Sequence, residues 1–188
     1  MLHEWRTYRL KPGMAPAYLT LLAERGLPLV TKHLPLIGYW LAESGPLNVI
    51  HHLWSYADWA EREACRAALG MEKAWTNDFI PAAFAYVEEQ QNHFLRLMQG
   101  SEIFQNALDR RRHVHASLSA GMPLFASACS GMIMNARPPE AIAIFEPLSG
   151  SDKNNTFALM PRTTDPVAVV RAAGAHNIIL RPLAFSPL

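Results

Sequence analysis

The chain has 188 residues, half of them hydrophobic, a formal net charge of +1 and two cysteines, Cys65 and Cys129. That length suffices for one large domain or two small ones, and the near-neutral balance removes the electrostatic basis for a nucleic-acid or anionic-membrane partner. Two cysteines are too few for a disulfide framework and fit a reducing compartment.

Leu2 to Leu10 alternates as a strand and is ended by Lys11-Pro12-Gly13. It starts at once after Met1, without the basic flank and apolar core of a signal peptide, and no later apolar run approaches the ~18 residues of a membrane span. The expected location is therefore cytoplasmic. Met14 to His33 carries Ala15, Tyr18, Leu19 and Leu22 on one helical face, and Gly26 with Pro28 predicts a kink or a second short helix. Leu36 to Tyr56 holds two runs rich in Ile, Val, Tyr and Trp around Gly45-Pro46, a hairpin pattern. Asp58-x-x-Glu61 opens a helix that runs to about Leu69, where Gly70 can stop it. Met71 to Phe79 resumes as helix with Pro81 as its terminator, and Phe84 to Met98 reads as a long strand.

The resulting β-α-β-β-α-β order is the split βαβ, or ferredoxin-like, arrangement, with both helices on one face of a four-stranded sheet. The bare face must be buried against another sheet. The second half offers one. Ser101 to Arg112 is an amphipathic helix with Arg110, Arg111 and Arg112 at its C-terminal end. His113 to Ser119 reads as strand, Pro123 to Asn135 as helix, and Ala141 to Glu146 and Thr156 to Met160 as strands around a polar loop. Asp165-Pro166 starts a helix that Gly174 stops, and Asn177 to Phe185 is a last strand. Asn92-His93-Phe94-Leu95-Arg96 matches Asn177-Ile178-Ile179-Leu180-Arg181, and Arg66-Ala67-Ala68 matches Arg171-Ala172-Ala173. The expected fold class is α+β, with tandem ferredoxin-like (βαββαβ) repeats closing a barrel within one chain. Residues 1–98 form the first domain, 99–112 a linker helix and 113–188 a second, degenerate repeat. Further dimerisation through the helices, giving a homo-oligomer, is also expected.

Several stretches together carry a family resemblance. They are Glu4-x-Arg6-Thr7-Tyr8-x-Leu10-Lys11-Pro12-Gly13, Gly26-Leu27-Pro28-Leu29, Gly38-Tyr39-Trp40, Gly45-Pro46-Leu47-Asn48, His52-Leu53-Trp54-Ser55-Tyr56 and Arg66-Ala67-Ala68-Leu69. Over residues 1–98 the chain resembles the NIPSNAP family, in the dimeric α/β-barrel group of ferredoxin-like folds, and its tail from Leu180 to Leu188 resembles the way members end. The resemblance implies a fold and no agreed reaction.

Strand parity places Glu4, Arg6 and Tyr8 on one face of the first strand and His52, Trp54 and Tyr56 on one face of the third. With Val49 and Leu53 assigned beneath the helices, the polar set is expected to face the partner sheet and line an aromatic inter-sheet cavity. Tyr39 and Trp40 point to opposite faces. The first expectation is a binding protein that uses Glu4, Arg6, Trp54, Tyr39 and Trp40 to hold a small hydrophobic or aromatic molecule, or a protein partner. The alternative is a cofactor-independent monooxygenase, isomerase or cyclase with His52 as general base or acid. Tyr8 or Tyr56 would then donate to a developing oxyanion. A purely structural reading competes with both: a buried Glu4–Arg6 pair hydrogen-bonded to His52. No cofactor is expected, nor a metal, because His51 and His52 point apart and His113-x-His115 lacks a third ligand. Both cysteines read as buried inert thiols.

Overall fold

The computed structural model describes residues 1–119, 121–149, 155–173 and 176–188. Strand β1 (Leu2–Leu10) is followed by α1 (Ala15–Leu21), a π-helical turn (Leu22–Gly26) and α2 (Leu27–His33). The hairpin of β2 (Leu36–Ala42) and β3 (Val49–Tyr56) leads into α3 (Trp59–Gly70), a second π-helical turn (Ala74–Phe79), α4 (Ile80–Phe84) and β4 (Val87–Gly100). Then come α5 (Glu102–Asp109), β5 (Ser130–Met134), β6 (Ala143–Pro147), β7 (Phe157–Leu159), α6 (Pro166–Ala173) and β8 (Asn177–Pro182).

The eight strands close into a barrel in the order β1-β3-β2-β8-β5-β7-β6-β4. Every neighbouring pair is antiparallel. Around the ring, β4-β1-β3-β2 and β8-β5-β7-β6 repeat one internal order, fourth-first-third-second. Closure leaves no sheet edge unpaired among the described residues, which removes the aggregation liability of an open sheet.

Local chemistry explains the first half. Asp58 caps α3 by accepting from the Glu61 N–H at 2.8 Å, while the Glu61 carboxylate reaches back to the Ala57 N–H. The kink expected at Gly26 and Pro28 is the first π-helical turn. Pro28 supplies no N–H and its ring crowds the carbonyl four residues back, and an opened turn relieves both. Pro81 does the same for the second π-helical turn. It stands at the start of α4 and does not terminate the helix, which runs on to Phe84. The two turns touch, and a Cβ at Gly26 would lie 2.4 Å from the Phe79 ring.

The barrel interior holds Trp5, Ile37, Trp40, Leu53, Leu95, Met132, Phe145, Leu159 and Leu180. Trp5 and Trp40 stack with centroids 5.5 Å apart. Phe104 of α5 and Leu188 join this core. A bulge between Leu36 and Gly38 brings Trp40 inward, and its ring then covers Gly38, where a Cβ would lie 2.0 Å away. Gly38→Ala is therefore expected to displace Trp40 and cost about 1–3 kcal/mol; an unchanged urea midpoint would contradict this packing.

The second half departs from expectation in three places, the first being its element order, which among the described residues is β-β-β-α-β with no helix between β5 and β6 and so not the expected βαββαβ. His113–Ser119 forms no strand. It straps the helices, with the His115 N–H donating to Thr31 Oγ1 and the Leu118 N–H to the Ala23 carbonyl, each at 3.0 Å. Pro123–Asn135 is not a helix: 123–129 is coil with two isolated bridges, Phe125 to Leu183 and Cys129 to Thr163, and leads into β5. Its apolar residues serve two sides of the molecule: Leu124 and Phe125 pack on the helix-side core, and Met132 on the barrel core. Asp165 caps α6, accepting from the Ala168 N–H at 3.1 Å. The stop expected at Gly174 and the centre of the polar loop before β7 lie outside the described residues. Both cysteines are buried and free.

Candidate functional site

All eight residues of β3 are buried, because β3 has the barrel core on one face and helices on the other. The helix-side core gathers Tyr8, Tyr39, Ile50, Trp54 and Tyr56 with α1, α2 and α3, whereas Trp5 and Leu53 belong to the barrel interior. This corrects the expected orientation. Glu4, Arg6, Tyr8, His52, Trp54 and Tyr56 face the helices, while Leu53, with Val49, His51 and Ser55 on the same side of β3, faces the opposite sheet. Tyr39 joins the helix side, and Trp40 points into the barrel.

Register aligns the polar set. Arg6 pairs with His52 on β3 and Asn92 on β4, and His52 pairs with Tyr39 on β2. Asn92, Arg6, His52 and Tyr39 thus form one row across four strands. Tyr8 and Gln90 lie on one side of it, and Glu4, Trp54 and Phe94 on the other. Above the row lies a cavity of about 240 Å³. Arg6, Tyr8, Tyr39, His52 and Trp54 form its floor, and Leu22, Leu69, Trp75, Phe79 and Arg66 stand over it. Glu4 and Tyr56 lie behind this lining, and Trp40 is on the far side of the sheet.

Glu4 is fully buried. Its Oε1 accepts from Arg62 Nη2 at 2.8 Å, Asn92 Nδ2 at 2.9 Å and Arg6 Nη1 at 3.3 Å, and Arg66 approaches to 4.0 Å. Burial alone would push this carboxyl up, but the Arg62 hydrogen bond and the charges of Arg6, Arg62 and Arg66 together hold it below the usual range. Arg6 also donates to the Tyr8 hydroxyl at 2.8 and 3.2 Å and to Gln90 Oε1 at 3.3 Å. Burial, and then the nearby Glu4 carboxylate, push the Tyr56 phenol up.

His52 stacks on Tyr39 (4.8 Å, 9°) and meets the edge of Tyr8 (4.9 Å, 89°). Its Nδ1 accepts from the Trp54 indole N–H at 2.6 Å. An indole N–H can only donate, so the single proton of a neutral His52 sits on Nε2. Burial, and then the charge of Arg6, hold the ring neutral by pushing its pKa well below the ordinary value. Nε2 finds no hydrogen-bond partner among the described residues. His52 is therefore not bonded to the Glu4–Arg6 pair, contrary to expectation. Tyr18 and Tyr39 bring their hydroxyls to 3.4 Å, and burial raises both phenols.

Arg62, Arg66 and Asn92 escaped the sequence reading as members of this cluster. The two arginines, four apart in α3, share one helical face, and that spacing was the available signal. His51 and His52 occupy opposite faces. The rings of His113 and His115 lie 4.8 Å apart, and among the described residues no group of three or more His, Cys, Asp or Glu is placed to hold a metal. Nor is any helix among them long and apolar enough to cross a membrane.

A family model described as NIPSNAP matches residues 3–102. Human Protein NipSnap homolog 3A is 32% identical over 99 residues, covering 52% of this chain and 40% of that protein. Mouse Protein NipSnap homolog 3B is 36% identical over 90 residues, covering 47% and 36%. The chain thus spans about two fifths of the length of these relatives. Among solved structures, an uncharacterized NIPSNAP-like domain protein from Burkholderia xenovorans covers 64% of this chain and 97% of its own, with a TM-score of 0.50 and 24% identity; the likeness is one of fold. A protein from Agrobacterium tumefaciens, described as of the NIPSNAP family with unknown function, is 37% identical, covers 50% of this chain and 85% of its own, and has a TM-score of 0.49.

Proposed function

Since the chain belongs to the NIPSNAP family and the matched residues 3–102 include the whole lining of the helix-side cavity, we propose that this domain binds a small molecule there, with a flat apolar body and one anionic oxygen group such as a carboxylate or phenolate. One observation carries the reading. Arg6 and Arg66 line an aromatic-walled cavity and, with Arg62 behind it, gather around one buried carboxylate, Glu4; Arg62 is also paired with the exposed Glu63 at 2.7 Å, which leaves one cation in surplus. The surplus positive charge favours an anion, and Tyr8, Tyr39, Trp54 and Phe79 favour a flat apolar body.

The test is calorimetric titration with 1-naphthoate and its neutral counterpart 1-naphthamide. Naphthoate is expected to bind roughly tenfold more tightly than the amide, a difference of one charge-assisted hydrogen bond. Arg66→Gln should remove most of that preference while leaving the unfolding midpoint nearly unchanged, because Arg66 is 39% exposed. Equal affinities, or no binding of either, would overturn the reading.

The enzyme alternative draws on the same cavity in a narrower form. With Nδ1 taken by Trp54, His52 serves as a neutral hydrogen-bond donor to a developing oxyanion and not as a general base. The repeated strand order further supports residues 1–98 and 113–188 as two ferredoxin-like halves joined by the segment 99–112.

A further inference from the structure

The barrel interior is not sealed at both ends. Phe104, Ala107 and Leu108 of α5, with Leu188, pack into one end. At the other a cavity of about 220 Å³ opens between the sheets, lined by inward side chains of β1, β3 and β4 and by Met132, Met134 and Phe157. This mouth shares no residue with the helix-side cavity. Arg9 and Glu89 stand at its rim, 3.2 Å apart, and cancel one another's charge.

Below the rim sits His51, only 5% exposed. Its Nδ1 lies 3.2 Å from the Trp5 indole nitrogen and 3.0 Å from Thr7 Oγ1. The indole can only donate, so Nδ1 is an acceptor and the Thr7 hydroxyl donates to it as well. The remaining proton is on Nε2, which has no hydrogen-bond partner among the described residues. Burial lowers the pKa of this ring to about 4, so it stays neutral near pH 7. A buried donor without a partner is disfavoured until an acceptor reaches it, and because Nε2 is itself out of contact with water, an acceptor entering from the mouth reaches it as the flexible side chains around the ring give way. The walls around it are sulfur, aromatic and aliphatic, with the amide of Gln91 and the ring of His93 among them.

We propose that the barrel mouth is a second ligand site, for a small neutral apolar molecule with one carbonyl oxygen, which accepts the Nε2–H of His51. The charge-balanced rim offers an anion no surplus cation, whereas Arg6 and Arg66 both line the helix-side cavity. The two sites therefore select different chemical classes, and neither reading depends on the other.

The experiment follows the imidazole nitrogen resonances of histidine-labelled full-length protein by NMR. It titrates acetophenone, ethylbenzene, which lacks the carbonyl, and benzoate, which carries a charge. Acetophenone is expected to shift the His51 Nε2 signal and to bind roughly tenfold more tightly than ethylbenzene, the discrimination available to one otherwise unpaired buried donor. Benzoate should leave that signal unmoved. Met134→Trp, which fills the mouth and keeps His51, should abolish the acetophenone shift; His51→Leu, which removes the donor and is checked for folding by its unfolding midpoint, should erase the preference over ethylbenzene. Equal binding of acetophenone and ethylbenzene would overturn the proposal. So would an acetophenone shift that survives Met134→Trp, or benzoate binding at the mouth.

Discussion

Glu4→Ala is expected to lower the free energy of unfolding by roughly 3–5 kcal/mol, because it leaves the guanidinium groups of Arg6 and Arg62 without their buried counter-charge. Their side chains are 13% and 10% exposed, so water cannot replace the carboxylate fully. Arg6→Ala should cost less, about 1–3 kcal/mol. Arg62 and Asn92 still hold the Glu4 oxygen in that variant, so the carboxylate is not stranded as it would be in an isolated Glu4–Arg6 pair. Glu4→Gln, which keeps an acceptor but loses the charge, should fall between the two. Urea unfolding at pH 7.5, with the slope compared between variants, measures all three. A loss below about half a kilocalorie for Glu4→Ala would show that the cluster behaves as an exposed pair.

Acid should destabilise this fold well above the pH at which surface carboxylates titrate. His3 and His51 are held neutral by burial, each with its pKa lowered from 6.5 to about 4, and burial likewise holds His52 well below its ordinary value. Between pH 6.5 and 4 the unfolded chain takes up protons that the folded chain refuses. Stability is therefore complete above pH 6.5 and is lost as the pH falls, by roughly 3 kcal/mol for each fully shifted histidine. Glu4 acts in the same direction lower down: its folded pKa lies below its ordinary 4.5, so its contribution is present above that value and lost as the pH drops through the folded one. Urea midpoints at pH 7.5, 6.0 and 4.5 should fall progressively, and His51→Leu should flatten the profile by about a third of its slope. A flat profile from pH 7 to 5 would contradict the burial of these rings.

The elements of the first half were legible because each carries local punctuation: Lys11-Pro12-Gly13 after β1, Gly45-Pro46 in the hairpin and Asp58-x-x-Glu61 before α3. The register that joins Arg6 to His52 follows from the same strands. What was not legible was which face of β3 looks inward. In a two-layer sheet the polar face is the exposed one, so alternation reports direction. Here both faces are buried, one under helices and one inside a closed barrel, and His52, Trp54 and Tyr56 against Val49, His51 and Leu53 do not differ enough to decide. The interior took Trp5, Trp40 and Leu53, while the buried ionic cluster formed where α3 supplies Arg62 and Arg66. The stretch from 113 to 135 misled for another reason. Its apolar residues are anchors that a strap sets down on separate surfaces, and no single periodicity describes them.

Ring closure also sets an order of events during synthesis. Strand β2 has β3 on one side, but its other neighbour is β8, whose residues 177–182 emerge from the ribosome long after residue 42. At ordinary elongation rates that interval is on the order of ten seconds. Once β4 has emerged, the nascent four-stranded sheet presents β4 as an open edge until β6 arrives and β2 as an open edge until β8 does, with a large apolar face between them, and a neighbouring nascent chain can pair with either. Loss of the segment that ends in β8 would make that transient condition permanent. The last strand is thus the clasp that turns a sticky half-barrel into a self-contained molecule, and premature termination before it is a route to exchange of strands between chains.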